Sequence, residues 1–226
     1  MLWIKHTLFW IALLTTGIAF GQHDGTAFSK PDVPEFEGTI NYSIAITGKN
    51  AKGFAADEPI QKMDQHYRKG DFIIQLYEGS FPTSILYILD SNKVYYIDAA
   101  NKRYFLKDKY QYTKKDTIPI AVKKSEEQII LGHKCSTWEV TKGSETTTYY
   151  VSDKIYVDIS HFKKKPRTKA IFLIKGLDGR IPLKTIRKTP DLTITTTATR
   201  LLPKALDIQN FRIPKDFKRH IRDWRR

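Results

Sequence analysis

TSILYILDSNKVYYIDAANKRYFL, residues 83–106, consists of three runs dense in Ile, Leu, Val, Tyr and Phe, separated by Asp-Ser-Asn and by Asp-Ala-Ala-Asn. Branched and aromatic side chains suit a pleated surface, and the short polar breaks are turn signals, so the stretch predicts an antiparallel meander. A helix is excluded because apolar residues do not recur at three and four, and a turn residue interrupts every five to eight positions. In the first run Ile85, Tyr87 and Leu89 share one face while Leu86 and Ile88 share the other. A sheet apolar on both faces is either covered on both sides or curled around something.

Working outward, residues 36–47, FEGTINYSIAIT, alternate, with Ile40, Tyr42, Ile44 and Ile46 on one face of a half-buried first strand. Residues 62–78 predict a hairpin turned at Lys69-Gly70-Asp71, which sets Phe72, Ile74 and Leu76 on one side of its second arm. Residues 134–152 predict another, turned at Lys142-Gly143-Ser144, with Trp138 opposite Cys135 and Thr137. Residues 126–131, 180–188 and 191–202 read as further strands, and Ile155, Val157 and Ile159 alternate. Two stretches read as helical: 166–176, from Pro166 to a stop at Gly176, where Ile-Phe-Leu-Ile equally suits a buried strand, and the stripe Phe217, Ile221, Trp224. The fold class expected is mainly β: an antiparallel incomplete barrel, or half-barrel, with one or two short helices.

Residues 1–21 have the anatomy of a secretory signal peptide, with Lys5 and His6, the apolar Leu8 to Leu14, and Ala19 and Gly21 before a cut at Gln22. The apolar core is shorter than the about 20 residues of a membrane span. No Cys follows the cut, so the expectation is an exported protein, periplasmic or extracellular, that is not lipid-anchored. Residues 22–34 read as a flexible leader, 35–214 as one domain, and 215–226 as a basic amphipathic C-terminal segment. A net charge of +14 over 226 residues attracts anionic lipid, acidic polymer or nucleic acid. Export disfavours nucleic acid as a partner. The basic residues concentrate at 163–169 and at 215–226, either as functional patches or as solvated surface.

The chemistry-bearing residues are sparse. The six His show no ligand spacing, and the single Cys, Cys135, excludes an internal disulfide and a cysteine metal cluster. Cys135 reads as a buried thiol, or else as a nucleophile served by His133 on the same side of the strand. The chain has no GxSxG elbow, no Walker loop and no GxGxxG. The prediction is a non-catalytic protein with no catalytic residues, no metal and no cofactor. What remains is concave surface, for which Phe72, Ile74, Leu76, Ile85, Tyr87, Leu89, Tyr96 and Trp138 are the candidate ligand-lining residues, unless they fill an ordinary core.

The chain resembles a family of exported bacterial domains of unknown function related to the outer-membrane lipoprotein carriers LolA and LolB. The likeness rests on Phe36-Glu37-Gly38-Thr39-Ile40, the turn from Leu89 to Asp98, Leu131-Gly132-His133-Lys134-Cys135, Gly179-Arg180-Ile181-Pro182-Leu183-Lys184 and Phe211-Arg212-Ile213-Pro214. It implies an incomplete antiparallel barrel on a helical plug with a lipid-accepting cavity. Under it the expected partner is a lipid or lipoprotein acyl chain, held with an affinity of about 25 cal/mol per Å² of apolar surface before the costs of association. The alternative is an envelope scaffold that binds a protein or an acidic polymer through its basic face. Its tail, 215–226, would then lie on an anionic membrane surface or a partner, or else cap the core.

Overall fold

The computed structural model describes residues 33–53, 61–77, 82–106, 119–162 and 174–220. The first strand, β1 (Gly38–Thr47), is followed by the hairpin of β2 (Lys62–Arg68) and β3 (Asp71–Tyr77). Lys69 and Gly70 both take positive φ, 44° and 85°. That is the type I′ turn, whose twist matches paired strands. A Cβ at residue 70 would also lie 2.7 Å from the Leu89 Cδ2 methyl, which can shift, so it is the positive φ that favours glycine there.

The opening stretch forms the predicted meander: β4 (Ser84–Ile88), β5 (Lys93–Asp98) and β6 (Arg103–Leu106). Asn92 and Lys102, at φ 50° and 48°, close its two turns. Asp98 organises the second turn, accepting from the Asn101 backbone N–H at 3.1 Å and from Arg103 Nη2 at 2.9 Å. A second meander follows: β7 (Val122–Ile130), β8 (His133–Lys142), β9 (Glu145–Tyr156), β10 (Arg180–Lys188) and β11 (Thr193–Pro203). The last strand, β12 (Lys218–Arg219), is two residues long.

The twelve strands among the described residues belong to one open sheet, ordered β12-β6-β5-β4-β3-β2-β1-β11-β10-β9-β8-β7. Among the described residues the sheet does not close into a barrel and very few residues are helical, so the mainly β expectation holds. The two meanders meet where β1 pairs antiparallel with β11, from Gly38 opposite Pro203 to Thr47 opposite Thr193, with a bulge at Asn41/Tyr42. The seam buries Ile40 completely, and the main core gathers side chains from both halves: Phe72, Ile85 and Tyr87 from one, Ile155, Ile181 and Leu183 from the other. Burial of each such side chain contributes about 1.5–3 kcal/mol.

The opposite face of β3, β4 and β5 presents Ile73, Leu86 and Ile97, which the C-terminal segment covers with Phe211, Leu206, Ile213 and Phe217. That segment is strapped down by Glu37, whose Oε1 accepts from the Leu206 N–H at 3.2 Å, and by Arg68, whose Nε donates to the Leu206 carbonyl at 2.9 Å. Phe211 closes a 3-10 turn, Ile208–Phe211, capped by Asp207. The expected helix through Phe217 is not formed: Lys218 and Arg219 are extended and pair parallel with Arg103 and Tyr104. The sheet edge needs backbone partners, and that demand outweighs a three-and-four spacing. Ile221 and Trp224 lie outside the described residues, as do residues 1–32, the basic run 163–169 and most of the 166–176 stretch. At that stretch's end Lys175 bridges Ile120 rather than joining a helix.

Candidate functional site

Seven of the eight candidate lining residues come together, and Trp138 does not join them. Phe72, Ile74, Ile85, Tyr87 and Tyr96 are buried in the main core, and Leu76 and Leu89 pack partly buried against it. Phe72 and Tyr87 stack with ring centroids 5.3 Å apart, an arrangement that adds to simple area burial. Tyr87 is 0% exposed. These side chains pack against one another in the interior. Trp138 instead packs with Val151, Ile174 and Leu177 in a separate cluster under the 174–177 connection. Its opposite parity to Cys135 on β8 is the signal that separates it from the others.

The polar groups of the core are structural. Tyr42 donates to the Pro182 carbonyl at 2.9 Å and ties β1 to β10, while Tyr67 donates to Gln65. Burial pushes both phenols well above the usual tyrosine range, so they remain neutral donors. Glu35 joins the start of the fold to the end of β9, accepting from the Asp158 N–H at 3.1 Å and contacting His161 Nε2 at 3.0 Å. Arg187, buried on β10, is gripped by Glu145 through both carboxylate oxygens, Nε to Oε1 at 2.8 Å.

Cys135 is fully buried, and burial raises its thiol above the ordinary range. Its Sγ donates to the backbone carbonyl of His133 at 3.5 Å. The structure thus places a thiol beside a peptide oxygen, not an imidazole, which is the buried-thiol alternative of the sequence. Elsewhere, on the more exposed face of β1–β3, Thr39 Oγ1 meets His66 Nδ1 at 2.8 Å and His66 Nε2 meets Gln75 at 3.2 Å. Beside them Asp64 accepts from Asn41 at 2.6 Å and from Tyr77 at 2.9 Å. These are cross-strand pairs on neighbouring strands, a polar ladder that fixes register. Among the described residues no group of three His, Cys, Asp or Glu is placed to hold a metal ion, and no helix is long and apolar enough to cross a membrane.

An open space of about 390 Å³ lies over β7, β8 and β9, next to the β7–β8 hairpin. Lys123, Lys134 and Lys154 line it together with Glu127, Asp153 and His133. Glu127 pairs with Lys134 at 2.7 Å, and Asp153 with Arg180 at 2.6 Å. Both acids are thereby engaged, while Lys123 lies 6.0 Å from the Trp138 ring centroid, at the limit of a cation–π contact. The cleft was missed in the sequence because its lysines are spread over three strands separated by two turns. Only the alternation of β8, with Ser136 and Trp138 on one side, hinted at a second polar surface.

No protein-family model matches the chain, and no curated protein matches it. Among solved structures it is similar to PNGF-II in a C2 crystal form, with 15% identity and a TM-score of 0.46 over 80% of this chain and 31% of that one. A P21 form of PNGF-II gives 14% identity and a TM-score of 0.42 over 77% and 30%. An uncharacterized conserved protein from Thermus thermophilus gives 8% identity and a TM-score of 0.46 over 81% of this chain and 90% of that one. The chain thus corresponds to less than a third of the length of PNGF-II.

Proposed function

We propose that the protein is a non-catalytic binding module of the bacterial envelope that holds an acidic polymer in the lysine-lined cleft over β7, β8 and β9. The observation that carries this reading is a contrast. The cleft is open and offers Lys123 and Lys154, with Lys134 shared with Glu127, whereas the apolar side chains proposed for an oily ligand are packed against one another. Lysine is a flexible point charge with three donors, suited to loose recognition of carboxylate or phosphate groups. The positive excess of the whole chain adds a field that draws such a polymer in.

Inorganic polyphosphate is the probe. Calorimetric titration is expected to show binding that weakens as salt rises. Replacing Lys134 and Lys154 together by Gln removes two exposed contacts of about 0.7 kcal/mol each, an about tenfold loss of affinity. Equal binding by this variant, or no binding at low salt, overturns the proposal. Recovery of a co-purifying lipid, with uptake of a fluorescent fatty acid that the lysine changes leave untouched, moves the ligand into the interior instead.

A further inference from the structure

Among the described residues β7 ends the sheet, paired to β8 on one side only. Of its nine residues all but Lys124 and Ile130 are exposed, and Val122 and Ile129 are 59% and 74% accessible. A long open edge that carries apolar side chains is a template for another strand. Its sequence, Val122-Lys123-Lys124-Ser125-Glu126-Glu127-Gln128, is self-complementary in charge when reversed about Ser125. We propose that this edge pairs antiparallel with β7 of a second copy of the chain, centred on Ser125, to give a continuous sheet across a two-fold axis.

In that register Lys124 faces Glu126 of the second copy and Lys123 faces Glu127, each twice by symmetry. An antiparallel pair places directly opposed residues on one face. The register keeps that condition: Lys123 and Glu127 share the face of Trp138 and Ser136, while Val122 and Gln128 share the face of Glu139 and Cys135. Between the Lys123–Trp138 and Glu127–Ser136 pairs β7 has two more residues than β8, so Lys124, Ser125 and Glu126 have no registered partner on β8. Lys124 and Glu127 reach Glu139 and Lys134 on β8 through a half-exposed and an exposed ion pair of 3.0 and 2.7 Å, which a second opposite charge can share. Any other partner strand would have to repeat the same charge order; a second copy supplies it without a further requirement, as two-fold interfaces do. The two lysine-lined clefts then lie on the same face of the sheet, one on each side of the axis.

The test is a charge exchange followed by light scattering on the full chain. Wild type is expected to be a dimer. Lys123→Glu with Lys124→Glu makes the centre wholly acidic, and Glu126→Lys with Glu127→Lys makes it wholly basic; each protein alone is expected to be a monomer. Mixed in equal amounts they are expected to recover the dimer, since each now complements only the other. Ser125→Pro, at an exposed position, removes the central N–H without altering charge and is also expected to give a monomer. A monomeric wild type, a dimer that survives either charge reversal, or a mixture that stays monomeric overturns the proposal. Lys123 and Glu127 also line the cleft, so Ser125→Pro is the variant that separates the two readings: it changes no cleft residue, and polyphosphate binding is expected to persist in it while the dimer is lost.

Discussion

Asp98 shows how one side chain sets a turn and gives it a pH dependence. Burial disfavours its charge, but hydrogen bonds from Asn101 and Arg103 outweigh that and hold the carboxyl below the usual aspartate range. Its unfolded value is about 3.9. The folded value lies lower, so the ionised group stabilises the fold above that pH, and the contribution drains away as pH falls through the folded value. Asp98→Asn is expected to cost about 1–2 kcal/mol near neutrality. Its urea midpoint should fall less steeply than wild type as the solution is acidified below about pH 4; parallel curves would show that Asp98 carries none of the acid sensitivity. Cys135 gives a second prediction at this scale. A fully buried thiol with a raised pKa should resist a thiol reagent in the native protein and react promptly once urea unfolds it, and rapid native labelling would contradict its burial.

Elements were legible wherever local chemistry dictates them. Lys69-Gly70 and Gly143-Ser144 mark hairpins because two-residue turns need positive φ, and alternation in β1 and β11 follows from one buried face. At the C-terminal segment Phe217 takes the core-capping alternative, packing toward a sheet face. Spacing tells which residues are apolar on one side and says nothing of what lies opposite them. Phe211 is the strongest test of that covering role, since it is 2% exposed and packs against strands from the first meander. Phe211→Ala is expected to destabilise the protein by about 3–4 kcal/mol, read from chemical denaturation. A loss under about 1 kcal/mol would mean that the segment rests on the sheet without sealing it.

At the scale of the whole molecule, what the sequence left open was which strands meet across the chain. No local signal makes β1 pair with β11, at the far end of the domain's sequence, and the candidate lining residues could not be told from core because that depends on what the other half of the sheet brings against them. The seam has an energetic consequence. β1 has partners on both sides, and the main core contains Tyr87 and Phe72 from the first meander beside Ile181 and Leu183 from the second, so neither half keeps its apolar face covered once the other opens. The two meanders should therefore unfold together as one cooperative unit. Ile40→Ala removes a fully buried side chain at the seam and is expected to cost about 2–5 kcal/mol. Native-state hydrogen exchange can follow β4 and β9 amides separately, and in this variant both sets should lose protection by the same free energy. If the β9 amides keep wild-type protection while those of β4 lose it, the two meanders are independent folding units and the seam is a mere contact between them.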